Sequence, residues 1–300
     1  RQMGHTRTIR SRSPVAGLQR AQLTFTQVLG QSVSAVAPSA VMVTLPALVL
    51  PAAGHATIAV FVLTALMMTA VGYCITQFST RMVAVSGLYS YTVKGLGPVP
   101  GIAAGWSLVI GYAAAAMASA LGAASYLATL LGRVGVPAGK PVIAGLSVLV
   151  GGAALILMTR GIRLSARISL AVELFAIVVA GVVLMIAFGG AVTGSAASSK
   201  TVADAPHSAL GFALLLAITS YVGFESASTV AREAQRPFVT VTRAIRWTPL
   251  ALGALYTFAA VLQTTGTIQT RTGSTPIVLS LPDSADTLAG ALSVAMDVGI

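Results

Sequence analysis

Long apolar runs separated by short polar stretches dominate the chain, and most of them reach or exceed the roughly 20 residues that a helix needs to cross a bilayer. They predict membrane helices over residues 23–50, 57–79, 98–131, 141–158, 168–188, 208–230 and 247–265, with an eighth from 288 that breaks off at Ile300. Residues 1–22 read as a basic tail, and residues 189–207 as an external Gly/Ala/Ser loop with Lys200, Asp204 and His207. A polar loop containing Arg271, Pro276, Pro282, Asp283 and Asp286 precedes the eighth helix. On this division, 23–188 holds five helices and 208–300 an incomplete second set. The start at Arg1 and the interrupted last helix lead us to expect a piece of a longer protein. The expected fold class is an all-α polytopic membrane protein.

Two of the predicted helices are unusual. The first carries Pro38 in the middle of Q-S-V-S-A-V-A-P-S-A, and Pro46 and Pro51 are expected to end it. A proline inside a helix removes one backbone bond and crowds the preceding turn. Ser32, Ser34 and Ser39 place hydroxyls near the freed groups. Taken alone, Pro38 reads as an ordinary kink, which membrane helices tolerate. The sixth helix carries Gly223 and Glu225 in T-S-Y-V-G-F-E-S-A-S. The glycine weakens a helix by about 1 kcal/mol, and the carboxylate adds an insertion penalty of a few kcal/mol. Irregular backbone survives at that depth only where it faces protein or lines a wet cavity. Residues 220–225 therefore read as an interruption at a ligand site.

These two helices lie five crossings apart, an odd number, so they traverse the membrane in opposite directions. That is the parity of an inverted repeat, whose paired broken helices form a site near the bilayer midplane. Half-helix N-termini there present N–H groups and partial positive charge to an anionic ligand group, and unwound carbonyls face a cation.

Composition narrows the class. Hydrophobic residues make up 56% and charged residues 8%, against the roughly 25% charged typical of soluble domains. The mean hydropathy is +0.88. A net charge of +11 would point to nucleic acid in a soluble chain. Here the basic residues sit in loops and the tail, so no nucleic-acid partner is expected. With the tail inside, fourteen Lys and Arg fall on the cytoplasmic side and four outside, which sets the N-terminus in the cytoplasm by the positive-inside rule. Cys74 is the only cysteine and reads as a small packed residue. His5, His55 and His207 are too scattered for a metal site. No G-x-x-x-x-G-K-S/T loop occurs, and neither a nucleophile–base pair nor a cofactor motif stands out, so we expect no enzyme activity and no cofactor. Gly101 and Gly105, with the run Ala113–Ala116, are expected to let neighbouring helices approach the third one closely.

The segments Y-V-G-F-E-S-A at 221–227, A-R-E-A-Q-R-P at 231–237 and T-R-A-I at 242–245 resemble the sixth-helix signature of the amino acid-polyamine-organocation permeases. A second block, S-G-L-Y-S-Y-T-V-K-G-L-G-P at 86–98 followed by G-I-A-A-G-W at 101–106, is similar to that family's junction between helices two and three. The resemblance spans roughly residues 23–260. It implies the five-plus-five inverted repeat of the leucine-transporter fold, and a permease in a bacterial plasma membrane. It implies alternating-access transport of an amino acid or amine, driven by protons or by exchange against a counter-substrate. Carried over, the substrate-binding break falls on Ala37, Pro38, Ser39 and Ala40 in the first helix. In the sixth it falls on Tyr221, Val222, Gly223 and Phe224. The A-P-S-A of the first break departs from the family's frequent G-S-G-I-F, as do Arg236 and Thr242 from the usual asparagine and proline.

Tyr221 or Phe224 is a candidate gate, with helix packing as the alternative. Burial in apolar surroundings penalises a charged carboxyl, which makes Glu225 a candidate proton carrier. It serves equally well to satisfy N–H groups at the break. Glu173 in the fifth helix is a second coupling candidate, with an inward-facing paired residue as its structural alternative. Asp297 has no assigned role. A membrane sensor that binds an amino acid without moving it, and an ion channel, are the other functional classes considered.

Overall fold

Phe25 opens the first helix where the Thr24 N–H donates to Gln27 Oε1 at 2.9 Å, one half of a capping box. The computed structural model describes residues 23–83, 86–135, 139–159, 162–193, 209–265, 267–270 and 273–276. The tail 1–22, most of the expected 189–207 loop, and the eighth helix with Asp297 lie outside them. Nine α-helices occur among the described residues. They are α1 (Phe25–Val36), α2 (Pro38–Ala53), α3 (Thr57–Ser79), α4 (Leu88–Leu96), α5 (Pro98–Arg133), α6 (Lys140–Thr159), α7 (Ile162–Thr193), α8 (Leu210–Thr219) and α9 (Pro237–Thr265). Short 3-10 turns occupy Gly54–Ala56 and Phe224–Ser228, and an antiparallel pair of strands, β1 (Thr267–Thr270) and β2 (Gly273–Pro276), follows α9. Six stretches are long and apolar enough to cross a membrane. The first of these, Phe25–Ser79, contains α1, α2 and α3.

Proline shapes the first segment differently from the expected pattern. The chain breaks at Ala37, which adopts a left-handed conformation with φ 50° and ψ 59°, and Pro38 restarts it at the first position of α2, where its missing N–H costs nothing. Pro46 and Pro51 do not end the helix; α2 runs through both to Ala53. Pro46 takes the helical donor away from the Met42 carbonyl, and Gln263 Nε2 on α9 replaces it at 2.6 Å, fully buried. A neighbouring side chain thus re-satisfies the freed group.

The core sits where α3 packs on α9, flanked by α1, α2 and α8. Two glycines permit the contact. A Cβ on Gly253 would overlap Ala65, and one on Gly72 would lie 3.1 Å from the Pro249 ring and 3.2 Å from the Ile245 carbonyl, the group Pro249 leaves without its helical donor. Gly101 and Gly105 also serve close approach, but toward α4: their faces meet Val93 and Tyr89. On α4, Tyr91 stacks on Phe78 with centroids 5.5 Å apart, and burial pushes its phenol up to about 12. Ala113–Ala116 face outward rather than into a helix contact. Cys74 is also exposed, on the outer face of α3, and not packed as expected. Large apolar side chains such as Ile110, Leu149, Phe175 and Val178 cover the outer faces of α5, α6 and α7, as suits helices surrounded by hydrocarbon.

The sixth segment stays α-helical only as far as Thr219, where the expected interruption begins, and Phe224–Ser228 then continues as a 3-10 turn rather than as α-helix. Its hydroxyls explain the change. Ser220 Oγ donates to the Ala217 carbonyl, Ser228 Oγ to Glu225 at 2.7 Å, and Thr229 Oγ1 to Ser226 at 2.7 Å, offering the backbone alternatives to the helical ladder. The seventh segment begins at Pro237, ten residues before the predicted start at 247, so Arg243 and Arg246 lie in α9 rather than in a loop.

Candidate functional site

The two interruptions lie against each other. α1 packs on the 3-10 turn Phe224–Ser228, whereas α2 packs on α8. The first half of one broken segment meets the second half of the other, so they run in opposite directions where they touch. Ser32 is the centre of this contact: its fully buried hydroxyl donates to the Phe224 carbonyl at 2.8 Å and accepts the Ala227 N–H at 3.3 Å. Ser226 Oγ returns a bond to the Gln31 carbonyl at 3.0 Å. Gly223, at φ 107°, comes so close to α1 that a Cβ would lie 2.8 Å from the Ala35 oxygen. Gly87, from the second quoted block, packs so closely on Ser228 that a Cβ there would overlap its hydroxyl. Below the site, Leu23 donates to the Glu233 carbonyl at 2.8 Å and accepts from the Gln235 N–H at 3.0 Å.

Ser32→Ala leaves the Phe224 carbonyl without its hydroxyl donor, at a cost of about 1–3 kcal/mol. We expect a thermal midpoint several degrees below wild type in a detergent-solubilised melt. An unchanged midpoint contradicts the central role given to Ser32.

Two carboxylates hold the breaks open. Glu173 reaches from α7 to the start of α2, where its Oε1 accepts the Ser39 N–H at 2.6 Å. A negative group at a helix N-terminus is favourably placed in the helix field. Glu225 accepts the Gly223 N–H on Oε2 at 3.1 Å and the Tyr112 hydroxyl, from α5, on Oε1 at 2.7 Å. Both side chains are buried. The other N–H groups at the start of α2 are also taken: Pro38 has none, and those of Ala40 and Val41 go to the Ala37 carbonyl. The same arrangement deprives the carbonyls of Ser34, Ala35 and Val36 of their helical donors, which would have come from residues 38, 39 and 40.

Beside the sixth-segment break, a cavity of about 490 Å³ opens between α3, α4, α5 and α8. Tyr221, Val222, Phe224 and Glu225 line one wall, and Tyr112 with mostly apolar side chains of α3, α4 and α5 the others. Glu225 is the only charged residue in the lining. Among the described residues, no group of three His, Cys, Asp or Glu is placed to hold a metal ion.

The amino acid permease family matches residues 19–270, most of the chain. The chain belongs to this family. It is therefore a member of the amino acid-polyamine-organocation superfamily, whose general role is transport across membranes. No curated protein matches it.

The permease places its predicted site residues unevenly. Tyr221, Val222, Phe224 and Glu225 share the cavity, with Val222 exposed and the other three buried. Gly223 lies between that cavity wall and α1. Ala37, Pro38, Ser39 and Ala40 lie at the break but do not line the cavity; Ser39 contributes its N–H to Glu173. Tyr221 packs edge-on against Tyr256, centroids 5.4 Å apart, and the Tyr256 hydroxyl donates to the Ser220 carbonyl at 3.2 Å. The structural alternatives foreseen for both acids are present: Glu225 satisfies an N–H of its own break, and Glu173 faces inward with a partner. Sequence reasoning missed Tyr112 and Tyr256. The one available signal for Tyr112 was a lone phenol amid the small residues of G-Y-A-A-A-A.

Proposed function

We propose that the permease is a secondary transporter that moves amino acids or related amines by alternating access, through a site formed at the paired breaks of an inverted repeat. On this reading Ala37–Ala40 and Tyr221–Phe224 frame the substrate, and Glu225 and Glu173 are the groups through which proton movement or exchange is coupled. The N-terminus faces the cytoplasm of a bacterial cell. One observation carries the reading: the interruptions at Ala37 and at 220–223 contact each other through Ser32, Ser226 and Gly223. Two broken segments running oppositely around one point suit a site that opens alternately to either side.

The test is counterflow. Full-length protein in liposomes loaded with unlabelled substrate is expected to take up radiolabelled amino acid or amine saturably, and to concentrate it transiently. Saturable binding without any flux favours the sensor, and flux that neither saturates nor shows counterflow favours a channel.

A further inference from the structure

Every N–H group at the start of α2 is already engaged. The Ser39 N–H goes to Glu173 Oε1 at 2.6 Å, those of Ala40 and Val41 to the Ala37 carbonyl at 3.1 and 3.3 Å, and Pro38 has none. At the sixth-segment break, Gly223 donates to Glu225, Phe224 to the Tyr221 carbonyl, Ser226 to the Gly223 carbonyl and Ala227 to Ser32. A ligand carboxylate arriving at α2 finds no donor there unless it displaces Glu173. The cavity beside the break gives it no help, because no Lys, Arg or His lines it and Glu225 does. An anion buried next to a carboxylate with no positive charge beside it is strongly penalised.

A cation meets the opposite situation. Each carboxylate oxygen of Glu225 accepts one hydrogen bond, and each has capacity for a second. The rest of the cavity wall is chiefly apolar, with Met68, Ile75, Leu108 and Ile218 among its residues. We propose that this site selects an organic ammonium with an apolar body and no carboxylate, and that Glu173 sets this preference by filling, from within the protein, the position a substrate carboxylate would take. Glu173 is a specificity-determining residue on this view. The inference rests on the proposed transporter site and narrows its substrate class.

Matched ligands test it. Radiolabelled phenylethylamine bound to purified full-length protein is competed with unlabelled phenylethylamine, with phenylalanine, and with phenylalanine methyl ester, which keeps the amino acid's skeleton but has no anionic charge. The amine and the ester are expected to compete at least about tenfold more strongly than the amino acid, the scale of one unsatisfied charged hydrogen-bonding group. Glu173→Ala, which empties the Ser39 N–H, is expected to narrow that ratio about tenfold, by improving phenylalanine. Glu173→Gln keeps an acceptor there and narrows it less. Phenylalanine competing as well as phenylethylamine on the wild type overturns the inference, and this comparison stands even if the alanine variant does not fold. Saturable counterflow of amino acids with no competition from amines removes the inference and leaves the transporter reading intact. Absence of both binding and flux for all three ligands removes both.

Discussion

Gly223→Ala is expected to abolish substrate binding while the protein still reaches the membrane in reduced amount. Two effects act at this position and in the same direction. The backbone sits at φ 107°, which costs an L-residue about 1–2 kcal/mol. The added methyl would also lie 2.8 Å from the Ala35 oxygen and 2.9 Å from its carbonyl carbon. Those atoms are backbone, so the clash is relieved only by moving α1 away from the sixth segment. Such a movement pulls apart the Ser32 and Ser226 bonds that hold the two breaks together. Gly211, in the same segment, is the control: its Cβ would meet nothing within 4 Å, and Gly211→Ala favours the helix by about 1 kcal/mol. Equilibrium binding to both variants, beside a thermal melt, separates the two outcomes. Binding within a factor of about two of wild type for Gly223→Ala contradicts the close contact as a requirement of the site.

Glu225→Gln and Glu225→Ala are expected to fail differently, and the difference separates coupling from scaffolding. A glutamine retains the geometry. Its oxygen can accept the Gly223 N–H while its amide donates to the Tyr112 hydroxyl, which accepts as readily as it donates. What it loses is the ability to bind and release a proton. Exchange at saturating substrate should therefore persist in the glutamine variant, with weakened affinity for an ammonium, whereas accumulation driven by an imposed proton gradient should disappear. Alanine removes both acceptors, leaves the buried Gly223 N–H without one and the Tyr112 hydroxyl without its partner, and should lose exchange as well, through a cost of about 1–3 kcal/mol at the buried N–H. If proton-driven accumulation by Glu225→Gln matches wild type across pH, this carboxylate does not carry the proton.

The outline of the membrane helices was legible because lipid imposes one simple demand, an apolar run of sufficient length, and α3, α6 and α7 meet it without complication. The interruptions were legible for a related reason. Pro38 and the pair Gly223 and Glu225 are residues that a lipid-facing helix has no use for, and the helices stop beside them, at Val36 and Thr219. Reading the ends of segments was harder. Pro46 and Pro51 look like terminators only until Gln263, far along the chain, is known to restore a lost donor at Met42. Arg243 and Arg246 look like loop residues, yet Pro237 starts a helix that carries both.

The partners of the two acids were out of reach for a similar reason. Apolar surroundings make Glu225 and Glu173 stand out, but the phenol that Glu225 meets lies 113 residues away and the backbone N–H that Glu173 meets lies 134 residues away. A periodicity reports which face of a helix is oily. It does not report which phenol or amide will arrive opposite.

The bond from Gln263 to the Met42 carbonyl has an evolutionary corollary. Pro46 is tolerable while an amide from α9 stands in front of the orphaned carbonyl, and that demand on the amide ends if residue 46 supplies its own donor. The two positions should therefore drift as a couple: lineages that keep the proline keep the glutamine, and lineages that lose the proline are released from that constraint.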